Sequence, residues 1–278
     1  MKNKKYIASG MLLLASVFWG LSYSAQSIMS NKINTFTIIT LKGFGGILLL
    51  FCAVITKRGI TSKMIKSGIM IGFINGLGLI FQQLGLAYST VSKTSFISSI
   101  YIIFVPIIEL FTCKKPKKKF WIAVLIACLG LYFMCVNEEL KINSGDLFTF
   151  CGSICFALQV IFIDKYSKDA DPVSFCAIQQ TTISIMSAIL MCVFERPKVS
   201  DFSGLLFPVL YVIFISGLLA QLIQNKYQKD IDPTLASLLM SFESVFGALG
   251  GLIILNQTLS IREIIGCILI FISILIAE

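Results

Sequence analysis

Apolar runs of about 20 residues, the length at which a helix crosses roughly 30 Å of hydrocarbon, follow one another along the whole 278-residue chain. The breaks between them are short: Lys57-Arg58-Gly59, Lys114-Lys115-Pro116, Asn143-Ser144-Gly145-Asp146, Asp171-Pro172, Arg196-Pro197 and Asp232-Pro233. All are turn or stop signals. A hydropathy window of about 19 residues predicts helices over 6–28, 34–55, 67–88, 94–113, 120–136, 147–163, 173–194, 205–225, 234–255 and 263–277. No soluble domain or long linker remains, so the predicted class is an all-α membrane protein with ten transmembrane helices. The opening Met1-Lys2-Asn3-Lys4-Lys5 looks like the start of a secretory signal. The apolar run behind it extends from Tyr6 to about Met29 with no A-x-A site, longer than an h-region of roughly 7–15 residues. It is expected to be the first permanent helix.

Hydrophobic residues make up 56% of the chain and charged residues 13%, with a mean hydropathy of +0.89. A soluble core cannot hide that much apolar surface. The net charge of +9 would suit nucleic acid only with a basic stripe or a recognition motif, and the basic residues lie instead in short blocks between apolar runs. No nucleic-acid partner is expected. The nine cysteines, at 52, 113, 128, 135, 151, 155, 176, 192 and 267, form no CxxC pair and read as small buried hydrophobes. The chain has no histidine, the commonest metal ligand and the usual general base, so no metal or other cofactor is expected.

Sixteen of the 23 Lys and Arg residues fall in alternate segments that share a side with the N-terminus, among them Lys114–Lys119; six fall on the other side, and Lys42 lies inside a helix. Positively charged short loops stay in the cytoplasm. Both termini are therefore expected to be cytoplasmic, in a multi-pass protein of the plasma (cytoplasmic) membrane.

Self-comparison suggests two copies of one bundle. A shift of 142 residues places Phe81-Gln82-Gln83 on Ile223-Gln224-Asn225, Ser95 on Ser237, Ser99 on Ser241, Tyr101 on Glu243 and Phe104 on Phe246. A shift of 137 places Phe18-Trp19-Gly20 on Cys155-Phe156-Ala157 and Lys42 on Gln179. Five helices separate the copies, and an odd number inverts the second in the membrane. The expected organisation is two inverted five-helix repeats, residues 1–137 and 138–278, with a substrate site where they meet.

Phe18-Trp19-Gly20, the run Thr94-Ser95-Phe96-Ile97 leading to Tyr101 and Pro106, Gly145-Asp146-Leu147, and Phe242-Glu243-Ser244-Val245-Phe246 resemble the EamA family of the drug/metabolite transporter superfamily. The resemblance implies ten helices and transport of small metabolites, often amino acids or amphipathic compounds, frequently as export. The chain departs from the family pattern at three places. Phe242-Glu243-Ser244 stands for Leu-Glu-Pro, Leu255-Asn256-Gln257 for Leu-Gly-Glu, and Lys42 for a basic position that is commonly Arg. Without the proline, no hinge is expected at residue 244.

Glu243 falls near the middle of the ninth helix, where a charge costs about 2.5–3.5 kcal/mol on insertion scales and must face a cavity, find a partner or be protonated. It is a candidate for binding a substrate amine or a coupling proton; a purely structural carboxyl bonded between helices is the plain alternative. Lys42 either snorkels to the interface or turns inward to hold a substrate carboxylate or neutralise Glu243. Asn75, Gly78, Gln82, Gly85 and Ser89 share one face of the third helix. Their counterparts in the eighth are Gly217, Gln221 and Gln224. Amides donate and accept hydrogen bonds without the cost of a buried charge, so Gln82, Gln224 and Asn75 are candidate lining residues. Ser241 lies on the small-residue stripe of the ninth helix, and Trp19 and Tyr101 are candidate aromatic walls. Gly68, Gly72 and Gly76 read as close helix packing, Pro106 as a kink, and Glu109 as an interfacial charge paired with the Lys114–Lys119 block.

A membrane-embedded enzyme would need a nucleophile–base or metal constellation, and the sequence has no HExxH, GxSxG or intramembrane aspartate pair. An accessory membrane subunit would need no polar pathway. Transport of a small-molecule substrate by alternating access is the favoured reading, in a lipid bilayer, by a monomer or homodimer, with protons as the candidate coupling ion.

Overall fold

In hydrocarbon every backbone N–H and C=O has to be bonded within its own segment, which obliges the apolar runs to be helical. The computed structural model describes residues 2–56, 58–89, 91–111, 117–135, 144–256 and 260–277, and no strand occurs among the described residues. The helical segments are α1 (Lys2–Ser30), α2 (Thr35–Ile55), α3 (Ser62–Tyr88), α4 (Lys93–Phe111), α5 (Lys118–Cys135), α6 (Ser144–Tyr166), α7 (Pro172–Phe194), α8 (Leu206–Asp230), α9 (Pro233–Ile254) and α10 (Ile261–Ala277). Eight are long and apolar enough to cross a membrane; α5 and α10 are the shorter pair. Lys57, Cys113, Lys114, Lys115, Pro116, Lys141, Asn143, Gln257 and the side chain of Cys135 lie outside the described residues.

The surface is apolar and much of the interior is polar. Phe51, Val54, Ile55, Ile189, Val193, Phe194, Ile268 and Leu275 are exposed, whereas Lys42, Gln179, Gln180, Gln224, Asn225 and Glu243 are buried. In water such a surface would drive association; against lipid tails it is the matched one. Among the described cysteines, Cys52 and Cys192 depart from expectation, being exposed on this apolar surface, while Cys176 is buried. In lipid, an outward thiol loses nothing by leaving the core.

Helices pair as α2 with α7, α3 with α6 and α7, α5 with α10, α1 with α8 and α9, α2 with α8, and α4 with α6 and α9. Glycines set the closest crossings. A Cβ on Gly43 would lie 2.6 Å from Ser184 N, and one on Gly72 would lie 2.6 Å from the Gln179 carbonyl oxygen, so α2 and α3 both lie against the α7 backbone. Both ends of the α2–α7 pair are pinned by carboxylates. Glu195 accepts from Phe36 N, Thr37 N and Thr37 Oγ1 at 2.7–2.8 Å, capping α2 from across the bundle. Asp171 caps α7 through Ser174 and binds Arg58 Nη1 at 3.0 Å.

Two helices are discontinuous. The α4 segment breaks at Ile100, between the helix Val91–Ser99, which begins two residues before the apolar span, and the helix Tyr101–Phe111, upstream of the expected kink at Pro106. The α9 segment breaks at Ser241-Phe242 into Pro233–Met240 and Glu243–Ile254, at the point where the missing proline argued against a hinge. Serines take its place. Ser237, Ser241 and Ser244 each donate to the carbonyl three residues earlier, a back-bonding that bends helices. Phe242 N and Ser244 N likewise bond three residues back.

Candidate functional site

The two breaks place Tyr101 and Glu243 at the first positions of new half-helices, and both side chains border one central cavity of about 60 Å³. A water needs about 10–15 Å³ on such a measure, so there is room for several. Seven of the eight residues singled out in the sequence line it: Trp19, Lys42, Asn75, Gln82, Tyr101, Gln224 and Glu243. Ser241 does not. It is fully buried and its hydroxyl is spent on Leu238 O, because the helix break turns it away from the face that carries Glu243. The polar face of α3 also divides. Asn75 and Gln82 reach the cavity, Gly78 packs on Phe156 of α6, and Ser89 donates to Asp146.

Gly20 sets the crossing that brings Glu243 in. A Cβ there would lie 2.7 Å from the Glu243 carbonyl oxygen and 2.8 Å from Gly247 N, so α1 can meet α9 only with glycine at this point. The carboxylate then sits in the first turn of a half-helix, where the backbone dipole favours negative charge. Lys42, on α2, faces the same cavity and is 5% exposed, against 8% for Glu243. No ion pair joins them, and neither head group, nor the Asn75 amide, is hydrogen-bonded to any described residue. Both head groups reach the cavity, where a solute can meet them.

The remaining polar wall is knitted together. Gln82 Nε2 donates to Tyr23 Oη at 2.8 Å and to Ser98 Oγ at 3.0 Å. Gln224 accepts from Gln159 and Gln221 and donates to Gln228, which donates to Val160 O at 2.7 Å. Trp19 Nε1 donates to Ser216 O at 3.0 Å. Sequence reading missed Tyr23, Gln26, Gln159, Gln180 and Ser216 on this wall. The signal for the glutamines was an amide inside an apolar run; Tyr23 and Ser216 gave none, since tyrosine and serine are tolerated anywhere in such helices. Phe156, which the shift of 137 residues places on Trp19, lines the cavity too.

Outside the cavity, Lys93 Nζ and Ser89 Oγ bind Asp146, the former at 2.6 Å. Glu109 is 4% exposed and accepts from Thr234 Oγ1 at the start of α9. Lys114 and Lys115, in the block expected to pair with it, lie outside the described residues.

The model of the EamA-like transporter family matches residues 7–136 and again residues 143–277. The chain belongs to the EamA-like transporter family. It is similar to an uncharacterized transporter of Archaeoglobus fulgidus, 27% identical over 276 residues, covering 99% of this chain and 87% of the relative. It is also similar to the uncharacterized transporter YoaV of Bacillus subtilis, 21% identical, covering 93% of this chain and 92% of that one. A crystal structure described only as that of a protein shares the fold, with a TM-score of 0.78 over 99% of this chain and 97% of the other at 13% identity. As an EamA-like protein the chain is a multi-pass membrane transporter, with its polar cavity in the midst of the apolar helices.

Proposed function

We propose that this EamA-like protein moves small metabolites, amino acids or related amphipathic solutes, across the cytoplasmic membrane by alternating access, in the export direction, with both termini in the cytoplasm. The observation that carries the reading is the Lys42–Glu243 arrangement. A lysine and a glutamate, both buried, border one cavity with no salt bridge between them, although a charge at either place costs about 2.5–3.5 kcal/mol in a membrane. A zwitterionic solute satisfies both, and aromatic and apolar groups (Trp19, Tyr101, Leu79) offer contact to the rest of it. Gln82, Asn75 and Gln224 add neutral donors and acceptors. Protons are the candidate coupling ion, taken up by Glu243.

All ten helices span in this reading, with residues 1–137 and 138–278 as inverted repeats. Three findings support it. The family model matches once in each half. Exchanging α1–α5 with α6–α10 maps the main helix pairings onto one another: α3 with α6 becomes α8 with α1, and α4 with α6 becomes α9 with α1. The α4 and α9 breaks fall at residues that the repeat aligns. The α3–α4 and α8–α9 pairs would rock around the site.

Flux of labelled amino acids into proteoliposomes tests the reading. Wild-type protein should carry solute, Lys42→Met and Glu243→Gln should each reduce uptake at least tenfold, and Glu243→Gln should lose the pH dependence. Unchanged flux in both variants would refute the site, and no flux of any solute would refute transport. Cysteines replacing Ser95 and Ser237, both buried here, should label in an anticorrelated way as solute shifts the equilibrium.

A further inference from the structure

The middle of α8 is not α-helical. Tyr211–Leu219 is a π-helix, and Ala220 N closes it with a bond to Ile215 O, five residues back. Such segments are rare and frequent at functional sites. Nothing in YVIFISGLL demands this geometry, since an apolar run of this kind forms an ordinary helix readily; its cause has to be tertiary.

The contacts on the segment point to that cause. Where bonding changes from i→i+5 to i→i+4, carbonyls at the junction are poorly served by their own helix. Here the carbonyls of two consecutive residues take donors from other helices. Trp19 Nε1 of α1 donates to Ser216 O at 3.0 Å, and Gln180 Nε2 of α7 donates to Gly217 O at 2.8 Å. Ser216 Oγ is joined to Ser22 Oγ at 2.8 Å. Gly217 has no room for a side chain, because its Cβ would meet the Lys42 carbonyl oxygen, so the segment lies directly on the α2 backbone. Trp19 and Gln180 themselves line the cavity. The residues immediately downstream, Gln221 and Gln224, carry the amide wall, while Ile223 packs against Ala15 and Phe18 of α1.

Register makes this consequential. Returning one residue from i→i+5 to i→i+4 bonding removes the extra residue of a π turn and rotates everything downstream by about 100°. The place now held by Gln224 would pass to Ile223. We propose that Trp19 and Gln180 are positioning residues, whose bonds to Ser216 and Gly217 hold the π segment and thereby fix which side chains of α8 face the cavity. Solute that draws either donor away from its carbonyl would release the segment, so occupancy of the cavity and the register of α8 are linked. This rests on the transport reading only for its consequence; the register itself needs no substrate.

The test is thiol labelling in a background without the nine native cysteines, using a small aqueous methanethiosulfonate on protein in nanodiscs. With Trp19 and Gln180 present, Gln224→Cys should react and Ile223→Cys should not, a difference of at least tenfold in rate. In the Trp19→Phe/Gln180→Leu double variant, which keeps an aromatic ring at 19 and nearly the glutamine's volume at 180 but removes both donors, the order should reverse. Trp19→Phe alone keeps the ring and should raise labelling of Ile223→Cys part-way; it stands in if the double variant does not fold. The wild-type pattern in the single and any folded double variant would overturn the proposal. Absence of flux in every variant would count against the transport reading and leave this result intact.

Discussion

Replacing Gly20 by alanine should weaken the contact that holds Glu243 in place, and Gly10 on the same helix supplies the control. An alanine Cβ at position 20 would lie 2.5 Å from Phe246 Cβ, 2.7 Å from the Glu243 carbonyl oxygen and 2.8 Å from Gly247 N, against about 3.5–4.0 Å for comfortable contact. Two of those three atoms are backbone and cannot rotate away. α1 and α9 must separate by roughly 1 Å, and overpacking of this kind costs about 1–3 kcal/mol. Alanine also favours the helix over glycine by about 0.8–1.0 kcal/mol, a gain both variants share. At Gly10 nothing lies within 4 Å, so Gly10→Ala keeps the gain without the clash. The difference between the two variants therefore isolates the clash at about 1–3 kcal/mol. Equilibrium unfolding in mixed micelles at rising SDS, followed by circular dichroism, measures it. If the two variants agree within about 0.5 kcal/mol, the scatter of an ordinary surface change, the close α1–α9 crossing and the placement of Glu243 by it are refuted.

Glu195→Ala should destabilise the fold by about 1–3 kcal/mol in the same assay, because the Phe36 and Thr37 amides at the start of α2 lose their acceptor; Glu195→Gln, which retains one acceptor oxygen, should lose less. For Asp171, burial pushes the carboxyl up, but the Ser174 backbone and hydroxyl bonds and the Arg58 charge outweigh it and hold the carboxyl below its ordinary value. Its contribution is therefore fully present above the unfolded carboxyl pKa of about 3.9 and is lost as pH falls through the lower folded one. Asp171→Asn should flatten the acid limb of the stability profile, by a small amount that shrinks with salt because the pair is partly exposed. Ser244→Pro should cost less than half as much as Ala248→Pro, since Ser244 stands in the first turn after the α9 break and Ala248 inside the half-helix, where proline costs about 3 kcal/mol; equal losses by thermal unfolding would contradict the break.

What the sequence determined is what depends on neighbours along the chain. A run such as Thr35–Ile55 has to be a helix in lipid, since its backbone groups have no other partners, and most predicted ends fall within a few residues of the observed ones. A lone amide or charge in such a run has to face something polar, which is why Lys42, Asn75, Gln82, Gln224 and Glu243 could be picked out and why all five border one cavity. Tertiary structure alone decided the rest. Ser241 looked as well placed as Glu243, yet the α9 break, made by serine back-bonding where the missing proline argued against one, turns it into the protein. Glu195 caps α2 from 158 residues away, and Trp19 reaches the π segment across 197. Helix formation is a matter of bonds four residues apart; breaks, π segments and the face a helix presents depend on donors and glycine contacts supplied by other helices, and no local pattern encodes which helix will arrive.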